Sequence, residues 1–338
     1  MKKNTALVLL LFLVAYACTK KDSSILTSAS GINSTAQATD TEKIPINDLG
    51  TSTYLGFAGG LYPGGSNKPK GTYAKDLKSF AYSIVPLNTY GIHSFVGKIG
   101  FISLGGSTGG RNMTALKGKT VGNLRTNPFL VLVNCNNGSG EGSYNSIINP
   151  NDPYWNHVNT VLLASRINAK QVQVIYLESE DSTDTREFPG RPYLVRDEIE
   201  QALRICKAKF INLKLVYLLG RTTTFNVTAI HNKEPCPYYN GWAAKFVIED
   251  QINGVAGTQY KGDSAVAPMV TWGFYQWTNG SNVPRSDGFV WQESDTEDGI
   301  HATAAGQDTL ASRFQRFLLT DSVASVWYGN RLRPGTSP

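Results

Sequence analysis

From residue 98 onward, short apolar segments alternate with longer segments whose apolar residues recur at helical spacing. The short segments cover residues 98–104, 129–134, 171–177, 213–219 and 269–272. Each has the length of a strand, and the segments between them are long enough for helices. Strands that alternate with helices are typical of a parallel sheet covered on both faces. The sequence therefore predicts the α/β class, as a three-layer sandwich around a central, mostly parallel sheet of about five strands.

The connecting segments contain residues that start helices. Asp152 precedes Pro153, and aspartate at an N-cap with proline at the first helical position is a typical helix start. Pro192 is expected to open a second helix. Further helices are predicted over residues 239–252 and 303–318.

The N-terminal residues resemble a bacterial lipoprotein signal. Lys2 and Lys3 precede an apolar run over residues 6–17, which is shorter than the roughly 20 residues that span a membrane. Small residues end the run just before Cys18, the position that is lipidated in such signals, although Ala15 stands where leucine is usual. The alternative is an ordinary cleaved signal with an incidental cysteine.

Composition divides the chain into four segments. Residues 1–17 are the predicted signal peptide, and residues 18–48 are a flexible tether because they are polar and lack an apolar period. Residues 49–97 are expected to pack on the domain as a lead-in, and residues 98–330 form the domain itself. The absence of aspartate directly after Cys18 resembles the sorting signal of outer-membrane lipoproteins. We therefore expect a lipid-anchored protein of the cell envelope, on the periplasmic or the surface face.

Charge and cysteine spacing argue against several classes of partner. The net charge is +6, but the basic residues are scattered and form no block with interleaved aromatics, so nucleic acid is not expected. No spacing of cysteine and histidine is typical of zinc, and neither a metal nor a cofactor is expected. An exported protein could form one disulfide, whose pairing the sequence leaves open among Cys135, Cys206 and Cys236.

A glycine-rich turn follows the first predicted strand. Residues 105–110 read Gly-Gly-Ser-Thr-Gly-Gly and place Ser107 just beyond the strand. Active groups of parallel sheets gather at this edge, where a sharp turn exposes a serine hydroxyl and frees N–H groups for an oxyanion. The turn could instead be structural or cradle a phosphate, although it lacks the ending of a P-loop. Arg221 follows the fourth strand and should face the same edge, either to bind an acidic or sugar substrate or to pair with a loop carboxylate.

A second motif supplies the partners that a serine nucleophile needs. Asp298 and His301 stand three residues apart, just before the last predicted helix. A catalytic serine needs a base, and the base needs a carboxylate that orients it. Asp298 could instead cap the helix, with His301 incidental. No other histidine stands three residues after a carboxylate, and the remaining ones are interpreted as structural, namely His93, His157 and His231.

The two motifs together resemble the SGNH (GDSL-like) hydrolase superfamily, over about residues 98–328. The resemblance implies a flavodoxin-like α/β fold and hydrolysis of an ester through an acyl-enzyme. Ser107 would be the nucleophile, His301 the general base and acid, and Asp298 the carboxylate that orients the histidine.

The oxyanion hole implied by this resemblance is incomplete. The N–H of the serine and that of Gly138 would hold the oxyanion, with Gly140 as the second choice. The family usually has aspartate before the nucleophile, where this chain has Gly106, and an asparagine after the third strand, where this chain has none. Asn136 or Asn137 could substitute for that asparagine.

Two functions are therefore expected. The first is an exported, lipid-anchored serine esterase that removes acyl groups from carbohydrate. The second is a catalytically degenerate surface lipoprotein of the same fold that binds glycans, which the incomplete oxyanion hole favours. The aromatic residues of the C-terminal third could line a sugar cleft or simply pack in the core.

Overall fold

The computed structural model describes residues 42–137, 142–181, 183–281 and 283–330. The predicted signal peptide, the lipidation site and most of the tether lie outside these residues. So do both glycines proposed for the oxyanion hole, Gly138 and Gly140.

Helices and strands alternate along the described chain as the sequence predicts. In chain order they are α1 (Ile46–Leu49), β1 (Thr53–Tyr54), β2 (Phe57–Ala58), α2 (Gly71–Tyr82), β3 (Ile99–Gly105), α3 (Ser107–Thr120), β4 (Leu130–Asn134), α4 (Tyr144–Ile147), α5 (Pro153–Ala164), β5 (Val172–Glu178), α6 (Gly190–Lys209), β6 (Leu215–Leu218), α7 (Cys236–Asn253), β7 (Met269–Trp272), α8 (Ala304–Thr320) and α9 (Ala324–Tyr328).

The central sheet has five parallel strands in the order β4-β3-β5-β6-β7. Ser103 pairs with Tyr176 of β5, and Leu177 pairs with Leu218 of β6. All seven residues of β3 are buried, as expected for a strand covered on both faces. The predicted fold class is confirmed, and the predicted strand limits differ from the observed ones by at most two residues.

Two groups of helices cover the sheet. Helices α2, α3, α8 and α9 contact one another, and α4 to α7 form a second group that is joined mainly through α6. Phe314 of α8 and Trp327 of α9 both pack edge-on against Phe101 of β3. The sheet thus lies between two helical layers, which is the predicted three-layer sandwich.

The predicted helix starts agree closely with the structure. The Asp152 carboxylate accepts a hydrogen bond from the Tyr154 N–H at 2.9 Å, with Pro153 at the first helical position. Thr303 caps α8 by accepting from the Gly306 N–H at 3.1 Å. The helix expected to open at Pro192 begins two residues earlier, at Gly190.

The segment before β3 is attached to the far edge of the sheet. The Tyr73 hydroxyl lies 2.6 Å from the Val270 carbonyl oxygen of β7. The Trp272 indole donates to the Leu61 carbonyl at 2.6 Å. These bonds connect α2 and the chain before it to β7, while the domain limits at residues 48 and 97 stay predictions.

The C-terminal aromatic residues belong to the core, although Tyr239 also lines a recess of about 210 Å³ that does not include Ser107. All eight of those considered for a sugar cleft are buried: Tyr238, Tyr239, Trp242, Trp272, Phe274, Tyr275, Trp277 and Trp291. Buried free thiols occur at Cys135, Cys206 and Cys236, so the structure contains no disulfide among these three. Within the described residues, no helix is long and apolar enough to cross a membrane.

Candidate active site

The turn that carries Ser107 is possible only with glycine at the end of β3. Gly105 has a φ of +136°, a conformation that side chains rarely adopt. A Cβ atom at this position would lie 1.7 Å from the Glu178 carbonyl oxygen of β5. The chain therefore turns sharply beside the neighbouring strand, and Ser107 follows as the first residue of α3.

Hydrogen bonds from two other elements hold this turn. The Gly105 N–H donates to the Tyr154 hydroxyl at 3.0 Å, and its carbonyl accepts from the Asn137 N–H at 3.1 Å. The Asn136 amide donates to the Gly106 carbonyl at 2.9 Å. Sequence reasoning did not find the role of Tyr154, because only the fold brings α5 to the end of β3.

Three side chains meet just beyond β3. Ser107 Oγ lies 2.7 Å from His301 Nε2, and His301 Nδ1 lies 2.7 Å from Asp298 Oδ2. The histidine thus bridges the hydroxyl and the carboxylate. The structure places all three residues together, although their catalytic roles stay a proposal.

Asp298 also shapes the turn on which the histidine stands. Its Oδ1 accepts hydrogen bonds from the N–H of Ile300 at 2.9 Å and of His301 at 2.7 Å. Partial burial opposes ionisation of Asp298, but the backbone and ring hydrogen bonds of His301 and the bond from Ile300 outweigh it. The net result lowers the pKa of Asp298 to about 2. The carboxylate is therefore ionised at neutral pH and favours a proton on the facing ring nitrogen.

The loop after β6 supports the Asp298–His301 turn from the other side. The Gly299 carbonyl accepts from the Phe225 N–H and from the Thr224 hydroxyl, both at 2.8 Å. The Asn226 amide donates to the Asp298 carbonyl at 3.0 Å. The turn is fixed at both its backbone and its side chain, so the imidazole has a defined position.

A pocket of about 320 Å³ opens in front of the serine and the histidine. Among the described residues, the aromatic rings that line it are those of His301 and of His231, which the sequence analysis interpreted as structural. The Nδ1 atom of His231 is buried and has no hydrogen-bond partner among the described residues. The pocket is lined by Gly106, Ser107, Thr108, Asn137, Gly142, Ser143, Ser179, Glu180, Asp181, Arg221, His231, Asn232, Ile300 and His301.

Arg221 reaches the pocket wall but is paired there with a carboxylate. Its Nη1 lies 3.1 Å from Glu180 Oε2, and Arg191 Nη2 lies 2.6 Å from Glu180 Oε1. The Arg221 guanidinium also donates to the side-chain oxygen of Asn232. Of the two roles expected for Arg221, the structure shows the ion pair, and contact with substrate stays a proposal.

The end of β5 contributes no asparagine to the pocket. Glu178 is buried, accepts from the Asn112 amide at 3.3 Å and does not line the pocket. Of the two candidate substitutes, Asn137 lines the pocket. Asn136 lines instead a second recess of about 260 Å³, which shares only Ser107 with the first.

The N-terminus of α3 supplies N–H groups next to the nucleophile. Ser107 and Thr108 begin this helix, and the first N–H groups of a helix have no acceptor within it. The helix dipole adds partial positive charge at this end. A developing oxyanion close to Ser107 would therefore be stabilised.

The described residues contain no group of three side chains suited to hold a metal ion. What the site offers is a hydroxyl, an imidazole, a carboxylate and oriented N–H groups. This set is suited to acyl transfer.

Comparisons with known proteins leave the family open. No protein family model matches the chain, and no curated protein matches it. Among solved structures, the chain is similar to the periplasmic domain of a lipopolysaccharide acetyltransferase from Salmonella ser. Paratyphi A. The TM-score is 0.34 at 13% identity, over 73% of this chain and 98% of that chain. The chemistry of the site therefore rests on its own geometry.

Proposed function

We propose that the protein is a serine esterase of the SGNH type. The observation that carries the proposal is the continuous contact from Ser107 Oγ through the His301 ring to Asp298, with both distances at 2.7 Å. Hydrogen-bond contact between nucleophile and base, with the base oriented by a carboxylate, is the arrangement that activates a serine.

The first half of the reaction forms an acyl-enzyme. Ser107 Oγ attacks the carbonyl carbon of the ester while His301 Nε2 takes the hydroxyl proton. The N–H groups at the start of α3 stabilise the oxyanion, and Gly138 is proposed as a further donor. The tetrahedral intermediate then breaks its bond to the alcohol oxygen, which receives the proton from His301.

The second half of the reaction regenerates the enzyme. Water attacks the acyl carbon while His301 Nε2 accepts one of its protons. The bond to Ser107 Oγ breaks, the serine recovers its proton from the histidine, and a carboxylic acid leaves. Asp298 stays ionised throughout and stabilises the imidazolium that forms in each half.

Polar groups on the pocket wall support a hydroxyl-rich substrate such as an acylated glycan. Polar side chains that line the pocket include Glu180, Arg221 and Asn232. A sugar hydroxyl both donates and accepts hydrogen bonds, so it would suit this wall. Because the C-terminal aromatic residues are in the core, the glycan proposal depends on polar contacts and not on ring stacking.

The proposed place of this esterase is the cell envelope. Export and lipid anchoring are supported by the short apolar run after Lys2 and Lys3 and by the small residues before Cys18. Metabolic labelling with a radioactive fatty acid tests this part separately, since the label should be lost in Cys18→Ala. Retained label in that variant would remove the anchor from the proposal and leave the esterase untouched.

Labelling by a fluorophosphonate together with hydrolysis of 4-nitrophenyl acetate tests the mechanism. The wild type should show both, and Ser107→Ala should lose the label and roughly 10⁴-fold or more of the hydrolysis. Ser312→Ala is the matched control, because this exposed serine of α8 lies outside both recesses next to Ser107. Hydrolysis that survives in Ser107→Ala would refute the proposed nucleophile.

A glycan-binding protein without catalysis is the second candidate. The observation that favours it is the wall at the end of β5, which presents Ser179, Glu180 and Asp181 to the pocket and no asparagine. Losing one oxyanion donor lowers a rate by about 10²–10³-fold. Glycan binding by a protein that is inert to both serine assays would select this candidate over the esterase.

A further inference from the structure

The loop between α2 and β3 exposes four large apolar side chains. Tyr90 is 75% exposed, Ile92 63%, Phe95 87% and Val96 89%. We call these four residues the apolar knob. Single exposed apolar residues are common on protein surfaces, but four within seven positions of one loop are a candidate contact surface.

The backbone of the knob is ordered by its own hydrogen bonds. Leu87 and Lys98 exchange backbone bonds of 2.9 and 2.8 Å at the base of the loop. Inside it, Asn88 donates from its N–H to the Ile92 carbonyl at 2.8 Å, and its side chain accepts from the Tyr90 N–H at 2.9 Å. The apolar side chains are therefore displayed on a defined loop.

The inner side of the loop packs against the turns that precede β5 and β6. The Asn168 amide donates to the Thr89 carbonyl at 2.9 Å, and the Asn212 amide donates to the Gly91 carbonyl at 3.2 Å. A Cβ atom on Gly91 would lie 2.6 Å from the Asn212 amide nitrogen. Polar contacts thus occupy the inner side, and the apolar groups stay in solvent.

Cations without acidic partners surround the base of the knob. Lys98 lies next to Arg166, since its Nζ donates to the Arg166 carbonyl at 2.7 Å. Lys170 lies beside Gly91, where its Cβ would be 3.1 Å from an added Cβ. Within the described part of the chain, none of these three cations has a carboxylate within 4.0 Å.

The knob and the candidate active site lie beyond opposite ends of strand β3. The knob precedes the first residue of β3, and Ser107 follows its last residue. Seven residues of a strand span about 23 Å. A surface that contacts the knob therefore lies at the start of β3, whereas the pocket lies at its end.

We propose that the apolar knob inserts into the headgroup region of a bilayer that contains anionic lipids. Apolar side chains enter the boundary between headgroups and acyl chains, while the lysines and the arginine around them attract the anionic headgroups. A protein partner fits less well, because a stable protein interface takes roughly 20–30 residues from each side and the knob offers four. The contact directs the pocket away from the lipid, and it does not depend on the esterase proposal.

Position-specific fluorescence distinguishes this contact from other forms of membrane association. The full chain is prepared as Val96→Cys and, separately, as Val227→Cys, both with Cys18→Ser, and labelled with a polarity-sensitive dye. Cys135, Cys206 and Cys236 are buried, so the dye attaches to the introduced cysteine. Val227 is the matched control, since it is 83% exposed and follows β6 at the edge that holds the catalytic residues. Both forms retain residues 1–17, so association through that segment is common to them.

The expected result is a blue shift at position 96, and not at position 227, on vesicles of phosphatidylglycerol and phosphatidylcholine. Brominated acyl chains should quench the dye at position 96. The combined change Lys98→Glu and Lys170→Glu should weaken binding roughly tenfold or more, as should Phe95→Asp. All these positions are far from the pocket, so hydrolysis in solution should not change.

Three outcomes would overturn the proposal. One is the absence of any response at position 96 in a protein with a normal circular dichroism spectrum. Another is an equal response at positions 96 and 227, which would mean association without the knob. The third is a shift at position 96 that grows with protein concentration in the absence of vesicles, which would assign the knob to contact between copies of the chain.

Discussion

Ser107 and His301 are separated by 194 positions in the sequence, yet Ser107 Oγ lies 2.7 Å from His301 Nε2. The helices that adjoin these residues, α3 and α8, pack against each other along one face of the sheet. Arg111 of α3 strengthens this junction, since it donates to the Ala302 carbonyl at 3.0 Å and pairs with Glu297 at 2.8 Å. The contact on which catalysis depends is therefore built from the packing of two helix starts.

Asp298→Asn should abolish most activity without unfolding the protein. The side-chain oxygen of asparagine can still accept from the N–H groups of Ile300 and His301, which turns its NH₂ toward His301 Nδ1. That nitrogen must then accept, so Nε2 carries the proton and cannot take one from Ser107. We expect kcat/KM on 4-nitrophenyl acetate to fall about 10⁴-fold, with the melting temperature nearly unchanged. Activity within tenfold of the wild type would contradict the role given to Asp298.

Gly105→Ala should destabilise the protein and displace the nucleophile. The added Cβ would meet the Glu178 carbonyl oxygen at 1.7 Å, and the backbone φ of +136° adds strain. We expect a loss of about 3 kcal/mol or more in the free energy of unfolding, measured with urea. Gly118→Ala is the matched control on α3, because a Cβ there meets nothing within 4 Å. Gly118→Ala should stabilise the helix by about 0.5–1 kcal/mol. Equal effects of Gly105→Ala and Gly118→Ala on the free energy of unfolding would contradict the requirement for glycine at position 105.

Glu180→Gln should destabilise the protein because it leaves two buried cations without their carboxylate. The side chains of Arg191 and Arg221 are 1% and 8% exposed, and losing the partner of a buried ion pair costs about 3–5 kcal/mol. Asp308→Asn breaks the exposed pair with Lys119 and should leave the free energy of unfolding nearly unchanged, because solvent screens an exposed ion pair. Urea unfolding of both variants measures the contrast. A loss below 1 kcal/mol for Glu180→Gln would show that water replaces the carboxylate.

Glu198→Gln should flatten the dependence of stability on pH. Burial, followed by the hydrogen bond and the negative charge of Asp181, raises the pKa of Glu198 from 4.5 to about 9. Between these values the folded protein holds a proton that the unfolded chain releases, so stability is full below pH 4.5 and falls as the pH rises toward 9. Glutamine is neutral at every pH and can donate to Asp181 as the protonated acid does.

Urea midpoints at pH 5 and pH 8.5 test this expectation. The drop in midpoint between the two values should be smaller in Glu198→Gln than in the wild type. Parallel changes in the two proteins would mean that Glu198 titrates normally in the folded state.

The sheet could be predicted because each of its strands is a short run of mostly apolar residues. The limits of β7, Met269–Trp272, match the prediction, since turn-forming residues border a short apolar run. The chain before β3 was harder to predict. Helix α2 buries only Tyr73, Leu77 and Ala81 and has no side-chain cap, so its pattern is weak, and its position depends on β7 nearly 200 residues away.

The sequence could name the triad but could not choose between the roles of other site residues. Arg221 was equally suited to a substrate or a carboxylate, and the partner it meets, Glu180, stands 41 positions earlier. His231 does not follow a carboxylate by three residues as His301 does, and only the loop after β6 brings it to the pocket. The aromatic residues near the C-terminus favoured a core over a cleft without excluding the cleft, and the structure buries them.

The sequence by itself determined the features that are encoded within a few residues. These are the alternation of strands and helices, the glycine turn at Ser107 and the spacing of Asp298 and His301, because periodicity and turn chemistry act locally. Only the tertiary structure decided which polar groups line the pocket. It also decided that the apolar knob is exposed beyond the end of β3 opposite to the pocket. These properties depend on contacts between segments far apart in the chain, and packing sets such contacts through burial and shape, which no local pattern records.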